Sequence, residues 1–370
     1  MKIAQVSPLT ESVPPQQYGG IERIVSYLTE ELVAQGHEVT LFASGDSVTA
    51  STLVSPCKRS LRREGCQEPQ VQHLVMFEEI YRRASDFDVI HFHTGYQHFP
   101  MGRRLNVPHI TTHHGRLDIP EVEMLNREFH EMPVVSISDS QRKPLPYANW
   151  QGTAYNGLPL DLYKYQSTPD DYLAFLGRIS PEKGIEHAIS IARQSGRHLK
   201  IAAKIDLVDQ QYFNETIKPL LDQPGIEFIG EINDAQKQDF LGNATALLFP
   251  INWPEPFGLV MTEAMACGTP IIAFNRGSVP EIMEPGITGF IVDTLQEAIE
   301  AVDNIDVIDR QQCRNTFEKR FSSWRMTKEY LLLYERQIHK QQRGEFRNHR
   351  DALARQSSLF DTYPQPAMVS

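Results

Sequence analysis

The stretch Pro250-Ile-Asn-Trp-Pro-Glu-Pro-Phe-Gly-Leu-Val-Met-Thr-Glu-Ala-Met-Ala-Cys-Gly-Thr-Pro270 decides how the rest of the chain is read. Just before it, Ala246-Leu-Leu-Phe249 is a short apolar run of the kind that forms a buried strand. Pro254 and Pro256 bracket Glu255 and favour extended backbone there, because a proline biases its predecessor away from the helical region. From Gly258 to Cys267 the pattern is helical, and Gly268 and Pro270 supply the stop. This predicted helix is apolar nearly all round, so it is expected to be buried, with Thr262 and Glu263 as its polar exceptions. A buried carboxylate is destabilising by several kcal/mol unless something satisfies it, and no basic residue lies within a helical turn of Glu263. The backbone N–H groups of Phe257, Gly258 and Leu259, at the strand-to-helix junction, form a preorganised anion site. A phosphate cradle, a carboxylate one turn inside the helix and a second carboxylate at the mouth suit a ribose diphosphate carrying a sugar. An ordinary βα turn with an ion-paired glutamate accounts for the same residues.

Composition narrows the classes. At 370 residues the chain has room for two domains of ordinary size, and 41% hydrophobic with 22% charged residues describes a globular protein. No run approaches the ~20 apolar residues of a membrane helix. Met1-Lys2-Ile3 leads straight into a strand-like run, so neither a transmembrane segment nor a signal peptide is expected. The four cysteines (Cys57, Cys66, Cys267, Cys313) have neither metal-ligand nor redox spacing, so free thiols and a cytoplasmic location are expected. A net charge of −11 argues against nucleic acid as a partner and against a large basic membrane patch, leaving peripheral membrane contact open. The cluster Arg59, Arg62 and Arg63 reads as part of a solvated loop spanning 45–70.

Taken in order, the chain alternates strand and helix. Ile3–Val6 reads as a strand, a loop ends at Tyr18-Gly19-Gly20, a helix follows from Ile21 to Gln35, and Val39–Ala43 is the next strand. That is a βαβ unit, the building block of a parallel sheet. Glu78–Ser85 reads as helix, and Asp88–His93, Pro108–Thr112 and Val134–Ile137 as strands. His93, and His113 with His114, thereby fall at carboxyl ends of strands, where open α/β sheets bind ligands. A structural histidine bonded to backbone fits either place equally. His91-x-His93 has the look of a zinc pair, but no third ligand has suitable spacing, so no metal is expected. A linker is expected near 150–168, and then the alternation restarts: strands at Tyr172–Leu176, Leu199–Ala203, Ile226–Ile229, Pro270–Phe274 and Gly289–Val292, with helices at Ile185–Gln194, Asp209–Leu221, Asp234–Leu241 and Trp324–Gln337. The first loop of this half carries Arg178 and Lys183, a planar fork and a mobile point charge suited to a diphosphate, or else an exposed basic turn.

Glu255 and Glu263 are seven residues apart in a Glu-Pro-Phe-Gly core with an Ala-x-x-x-Gly-x-Pro exit. This resembles the Glu-x7-Glu signature of the family-4 retaining glycosyltransferases. Gly177-Arg-Ile-Ser-Pro-Glu-Lys-Gly184, Tyr18-Gly-Gly-Ile-Glu, Asp88-Val-Ile-His-Phe-His, Thr111-Thr-His-His-Gly and Asn156-Gly157 extend the resemblance over about residues 1–340.

The resemblance implies the GT-B fold: an α/β chain with two Rossmann-like doubly wound domains facing across a cleft. It divides the chain into an acceptor-side domain over 1–155, a nucleotide-sugar domain over 156–322, a helix over 323–343 crossing back, and a polar tail over 344–370. By motif, Arg178, Lys183, Gly19 and Gly20 would meet the donor diphosphate. Glu263 would hold the ribose, and Glu255 the donor sugar. Phe257, Gly258 and Leu259 would offer backbone donors, and His114 would lie near the reacting carbon, with His113 competing for that register. Lys204 stands where relatives often carry glycine. The implied activity is retaining transfer of a sugar from a nucleoside-diphosphate sugar, UDP-linked first and GDP-linked second, to an unidentified hydroxyl acceptor. No cofactor is implied, the nucleotide sugar being a co-substrate. A GT-B epimerase or phosphorylase, or a non-catalytic nucleotide-sugar-binding protein, stays open as the alternative.

Overall fold

The structure, a computed structural model, describes residues 1–16 and 19–344. Tyr18 of the glycine loop and the stretch 345–370 lie outside the described residues. Two parallel sheets organise the chain. The first takes β1 (Lys2–Val6), β2 (Glu38–Phe42), β3 (Thr52–Val54), β4 (Val89–Phe92), β5 (His109–Thr112), β6 (Val134–Ser136) and β7 (Trp150–Thr153) in the order β3-β2-β1-β4-β5-β6-β7. The second takes β8 (Leu173–Arg178), β9 (Leu199–Lys204), β10 (Ile226–Gly230), β11 (Ala246–Phe249), β12 (Ile271–Phe274) and β13 (Gly289–Val292) in the order β10-β9-β8-β11-β12-β13. In each sheet the winding reverses once, between β1 and β4 and between β8 and β11. Such switch points open a crevice at the strands' carboxyl ends. The central strands are buried on both faces, as their unbroken apolar runs require.

Four expectations are corrected. The supposed loop over 45–70 holds β3 and a short helix at Leu61–Glu64, and the helix expected at 78–85 runs over Pro69–Arg82. Its inward stripe is His73, Met76, Phe77 and Ile80, so a buried histidine hides the first turn of the apolar period. The expected linker begins inside the first sheet, because Trp150–Thr153 is its edge strand β7, whose half-buried Trp-Gln-Gly-Thr has little strand pattern to read. The helix over 209–221 is broken into a 3-10 turn, a short α segment, a π turn at Phe213–Ile217 and a last α turn. Pro219 has no N–H to give and crowds the preceding turn, which widens to accommodate it.

The Leu259–Cys267 helix has seven buried residues, from Met261 to Cys267. The guanidinium of Arg314 donates to the carbonyls of Ala266 and Tyr163, both at 2.7 Å, and so closes the carboxyl end of that helix. After the second sheet, the Ser323–Gln342 helix returns to the first: Met326, Tyr330, Leu333 and Tyr334 share a core with Ile24, Leu28 and Leu32 of the Gly20–Ala34 helix. The return is pinned where Leu158 N–H meets Phe321 O and Ser323 N–H meets Leu158 O, each at 2.8 Å. Gly157 makes this approach possible, since a Cβ there would lie 2.3 Å from Ser322 O. Gly157→Ala is therefore expected to destabilise the chain by about 1–3 kcal/mol, seen as a lower midpoint in urea unfolding.

Candidate active site

Loops from the carboxyl ends of β1, β5, β8, β9 and β11 meet around a cavity of about 550 Å³ between the two sheets. The volume is that of a small-molecule site. Gly19, Gly20, His114, Arg178, Lys183, Glu255, Phe257, Gly258, Leu259 and Glu263 all line it. Gly20 faces the second domain closely: a Cβ placed on it would lie 3.6 Å from Leu259 Cδ1.

Glu263 is 3% exposed, and its partners come from elsewhere in the chain. Lys237 Nζ lies 2.8 Å from its Oε1, and Tyr163 O–H donates to the same oxygen at 3.3 Å. Lys237 also reaches Asp234 Oδ1 at 3.5 Å, and Asp234 is bonded by Arg23, from the Gly20–Ala34 helix of the first domain. A chain of alternating charge thus runs from the buried carboxylate across the cleft.

At the mouth, Lys183 Nζ pairs with Glu255 Oε2 at 2.6 Å, and the Trp253 indole N–H donates to that oxygen at 3.1 Å. Lys183 also sits 5.2 Å from the centre of the Trp253 ring. Arg178 bonds Glu182 and lies 3.3 Å from Asp209 and 3.7 Å from Asp206. The loop bearing both cations is fixed against β11 by Gly184, with φ +71°, where a Cβ would fall 1.9 Å from Pro250 O. The Leu259–Cys267 helix starts at a left-handed Gly258 with no side-chain cap, so its first N–H groups point at the cavity.

His114 enters from the first domain. Its Nε2 is 2.9 Å from His93 Nδ1, and His93 Nε2 is 2.8 Å from Gln5 Oε1. His93 is thus a buried support behind His114 and does not line the cavity. His113 does not line the cavity: its ring packs between those of Phe99 and Trp150. Burial pushes the His113 imidazole down to about 4 and His114 to about 3. Burial likewise holds His91, His93 and His98 well below the ordinary histidine range.

Some lining residues were not assigned to the site from the sequence. Lys237 lies 26 positions before Glu263 on another helix and was implied only by the carboxylate's need of a partner. Arg62, expected in a solvated loop, reaches the cavity and pairs with Glu11 at 2.7 Å. Lys204 lines the cavity too, 2.9 Å from Asp206. Asn156, in the Asn-Gly motif, is 3% exposed with its Oδ1 unbonded beside the cavity. Among the described residues no group of three or more His, Cys, Asp or Glu is gathered to hold a metal.

Two outcomes follow from these charges. Lys237→Met strands a buried carboxylate and is expected to cost about 3–5 kcal/mol in urea unfolding, part of it regained in Lys237→Met/Glu263→Leu. His91, His93, His98 and His113, all buried, and His114 at the cavity accept protons near pH 6.5 when unfolded but resist them when folded. The unfolded state then binds more protons, so stability falls as pH drops from about 6.5 toward 4, by up to ~1.4 kcal/mol per pH unit for each histidine. Thermal melts across that window check it.

Two family models match the chain: Glycosyltransferase Family 4 over residues 18–154 and Glycosyl transferases group 1 over residues 164–320. The chain is 26% identical to the uncharacterized glycosyltransferase MJ1607 of Methanocaldococcus jannaschii over 340 residues, covering 79% of this chain and 85% of that one. Among solved structures it is similar to AviGT4, a glycosyltransferase involved in avilamycin A biosynthesis, with a TM-score of 0.71, 24% identity, and 92% and 98% of the two chains covered. It is also similar to Anabaena Alr3699/HepE in complex with UDP and glucose, with a TM-score of 0.67, 17% identity, and 90% and 98% covered. Matched across both halves, with two doubly wound parallel sheets facing across a charged cavity, the chain belongs to the family-4 glycosyltransferases of GT-B fold.

Proposed function

We propose that the protein moves a sugar, with retention of anomeric configuration, from a nucleoside-diphosphate sugar to a hydroxyl acceptor. UDP is the first candidate nucleotide and GDP the second. The observation that carries this reading is the Lys183–Glu255 pair at 2.6 Å beside the uncapped helix start. It sets a diphosphate cation and a sugar-binding carboxylate side by side, as the two ends of a sugar–phosphate bond require. The UDP assignment draws on HepE, a similar protein whose structure holds UDP and glucose.

Each side chain then has one task. Arg178 and Lys183 exchange their carboxylate partners for the diphosphate, Glu263 takes ribose hydroxyls, and Glu255, released from Lys183, takes the donor sugar. As the bond from the anomeric carbon to the leaving phosphate oxygen breaks, negative charge grows on that oxygen. The two cations and the N–H groups at 258–260 stabilise it. The acceptor oxygen bonds to the anomeric carbon on the same face and gives its proton to the departing phosphate. No side chain need be a strong base, and no metal or cofactor enters. The acceptor approaches past Thr10, Glu11 and Arg62 of the first domain. A cytoplasmic setting, where nucleotide sugars are made, fits the free cysteines.

Calorimetric titration with UDP-, GDP- and ADP-sugars tests the reading. Wild type is expected to bind the UDP-sugar, and Arg178→Ala to bind it at least ~10-fold more weakly, the loss of one charge-assisted contact. No binding of any of the three, or equal binding by the variant, would sink it.

A further inference from the structure

Behind His114 lies a chain of hydrogen bonds that the transfer chemistry does not itself require. His114 Nε2 meets His93 Nδ1 at 2.9 Å, and His93 Nε2 meets Gln5 Oε1 at 2.8 Å. Gln5 Nε2 donates to the Tyr334 hydroxyl at 2.9 Å, and that hydroxyl lies 2.8 Å from His91 Nδ1. His91 Nε2 meets Thr112 Oγ1 at 2.7 Å. Gln5, His91, Thr112 and Tyr334 are fully buried and His93 is 1% exposed, so no water interrupts the series.

A closed series of this kind has a direction. The amide oxygen of Gln5 can only accept, so His93 Nε2 must carry a hydrogen. Burial keeps the imidazole neutral, so His93 Nδ1 is a bare lone pair. His114 Nε2 must then be the donor in the pair it forms with His93. At the other end, the Tyr334 hydroxyl accepts from Gln5 Nε2 and is free to donate to His91 Nδ1, a ring that can take either role. His114 is neutral as well, leaving its Nδ1 as a lone pair that meets no hydrogen-bond donor among the described residues.

We propose that Gln5 and Tyr334 are positioning residues that set the tautomer of His114, holding its hydrogen on Nε2 and presenting Nδ1 to the cavity as an acceptor. A ligand group that meets this ring must therefore bring a hydrogen, as a sugar hydroxyl does and a phosphate oxygen or carbonyl does not. Tyr334 belongs to the Ser323–Gln342 helix, so the returning helix has a second use besides packing: it completes the support of a cavity residue more than 200 positions away in sequence. The tautomer stands on the hydrogen-bond series alone; its use in transfer rests on the function proposed above.

Long-range proton–nitrogen correlation spectra of the protein with 15N-labelled histidine read the tautomer directly. Wild type is expected to show a protonated Nε2 and a bare Nδ1 at His114. Gln5→Met removes the acceptor and is expected to move the ring to a mixture or to the Nδ1–H form. Gln5→Glu, whose carboxylate still accepts from His93, is expected to keep the wild-type form. In a transfer assay Gln5→Met should lower kcat by roughly tenfold or more with donor KM changed less than about threefold, and Gln5→Glu should restore most of it, since a wrong tautomer disables an otherwise intact site. A hydrogen on Nδ1 in wild type, as a turned Gln5 amide would produce, overturns the proposal. So does an unchanged tautomer in Gln5→Met. Where Gln5→Met does not fold, Tyr334→Phe, which frees the amide to turn, replaces it with the same expected mixture. A protein with the expected tautomer but no transfer activity contradicts the proposed function and leaves the positioning role standing; an active protein with the hydrogen on Nδ1 does the reverse.

Discussion

A carboxylate on an apolar, buried helix must be compensated, and Glu263 is where the molecule meets that demand. Its partner, Lys237, projects from the Asp234–Gly242 helix, and the same lysine touches Asp234, which Arg23 bonds from the other domain. Removing Lys237 would leave Glu263 buried and unmatched, which is a far larger penalty than the pair's own net attraction. The carboxylate proposed to read a ribose is thus also the origin of the charge chain that spans the cleft.

The cavity keeps its cations in reserve. In a chain of net charge −11, Lys183 is matched by Glu255, and Arg178 is ringed by Glu182, Asp206 and Asp209. Under the proposed function, a diphosphate entering such a site would exchange one set of anions for another, so neither the arginine nor the lysine would lack a counter-charge.

Much of this was legible in the sequence because its signals are local. Alternating strand and helix, the Arg178–Lys183 loop after a strand, and the Pro-bracketed Glu255 ahead of an apolar helix are each read from neighbouring residues, and the Ile185–Gln194 helix and strand β13 fall where their periods put them. The illegible parts share a cause: their reasons lie far away in the chain. Trp150–Thr153 is a strand because β6 offers it an edge, not because its residues prefer one. Lys237 and Arg23 matter because Glu263 and Asp234 come to them. Choosing between His113 and His114 took the rings of Phe99 and Trp150 that pack against His113, and the role of Gln5 took the returning helix that delivers Tyr334.

The proposed function makes one chemical claim above the others, that the leaving phosphate and the incoming hydroxyl meet the anomeric carbon on the same face of the sugar. The direct test is time-resolved proton NMR of an α-linked UDP-sugar incubated with the protein, with water or a hydroxyl compound as acceptor, following the coupling of the anomeric proton in the first product formed. Same-face transfer gives the α-anomer first, with any β-anomer growing only as the free sugar equilibrates. A first product of β configuration, from an otherwise active protein, contradicts the account.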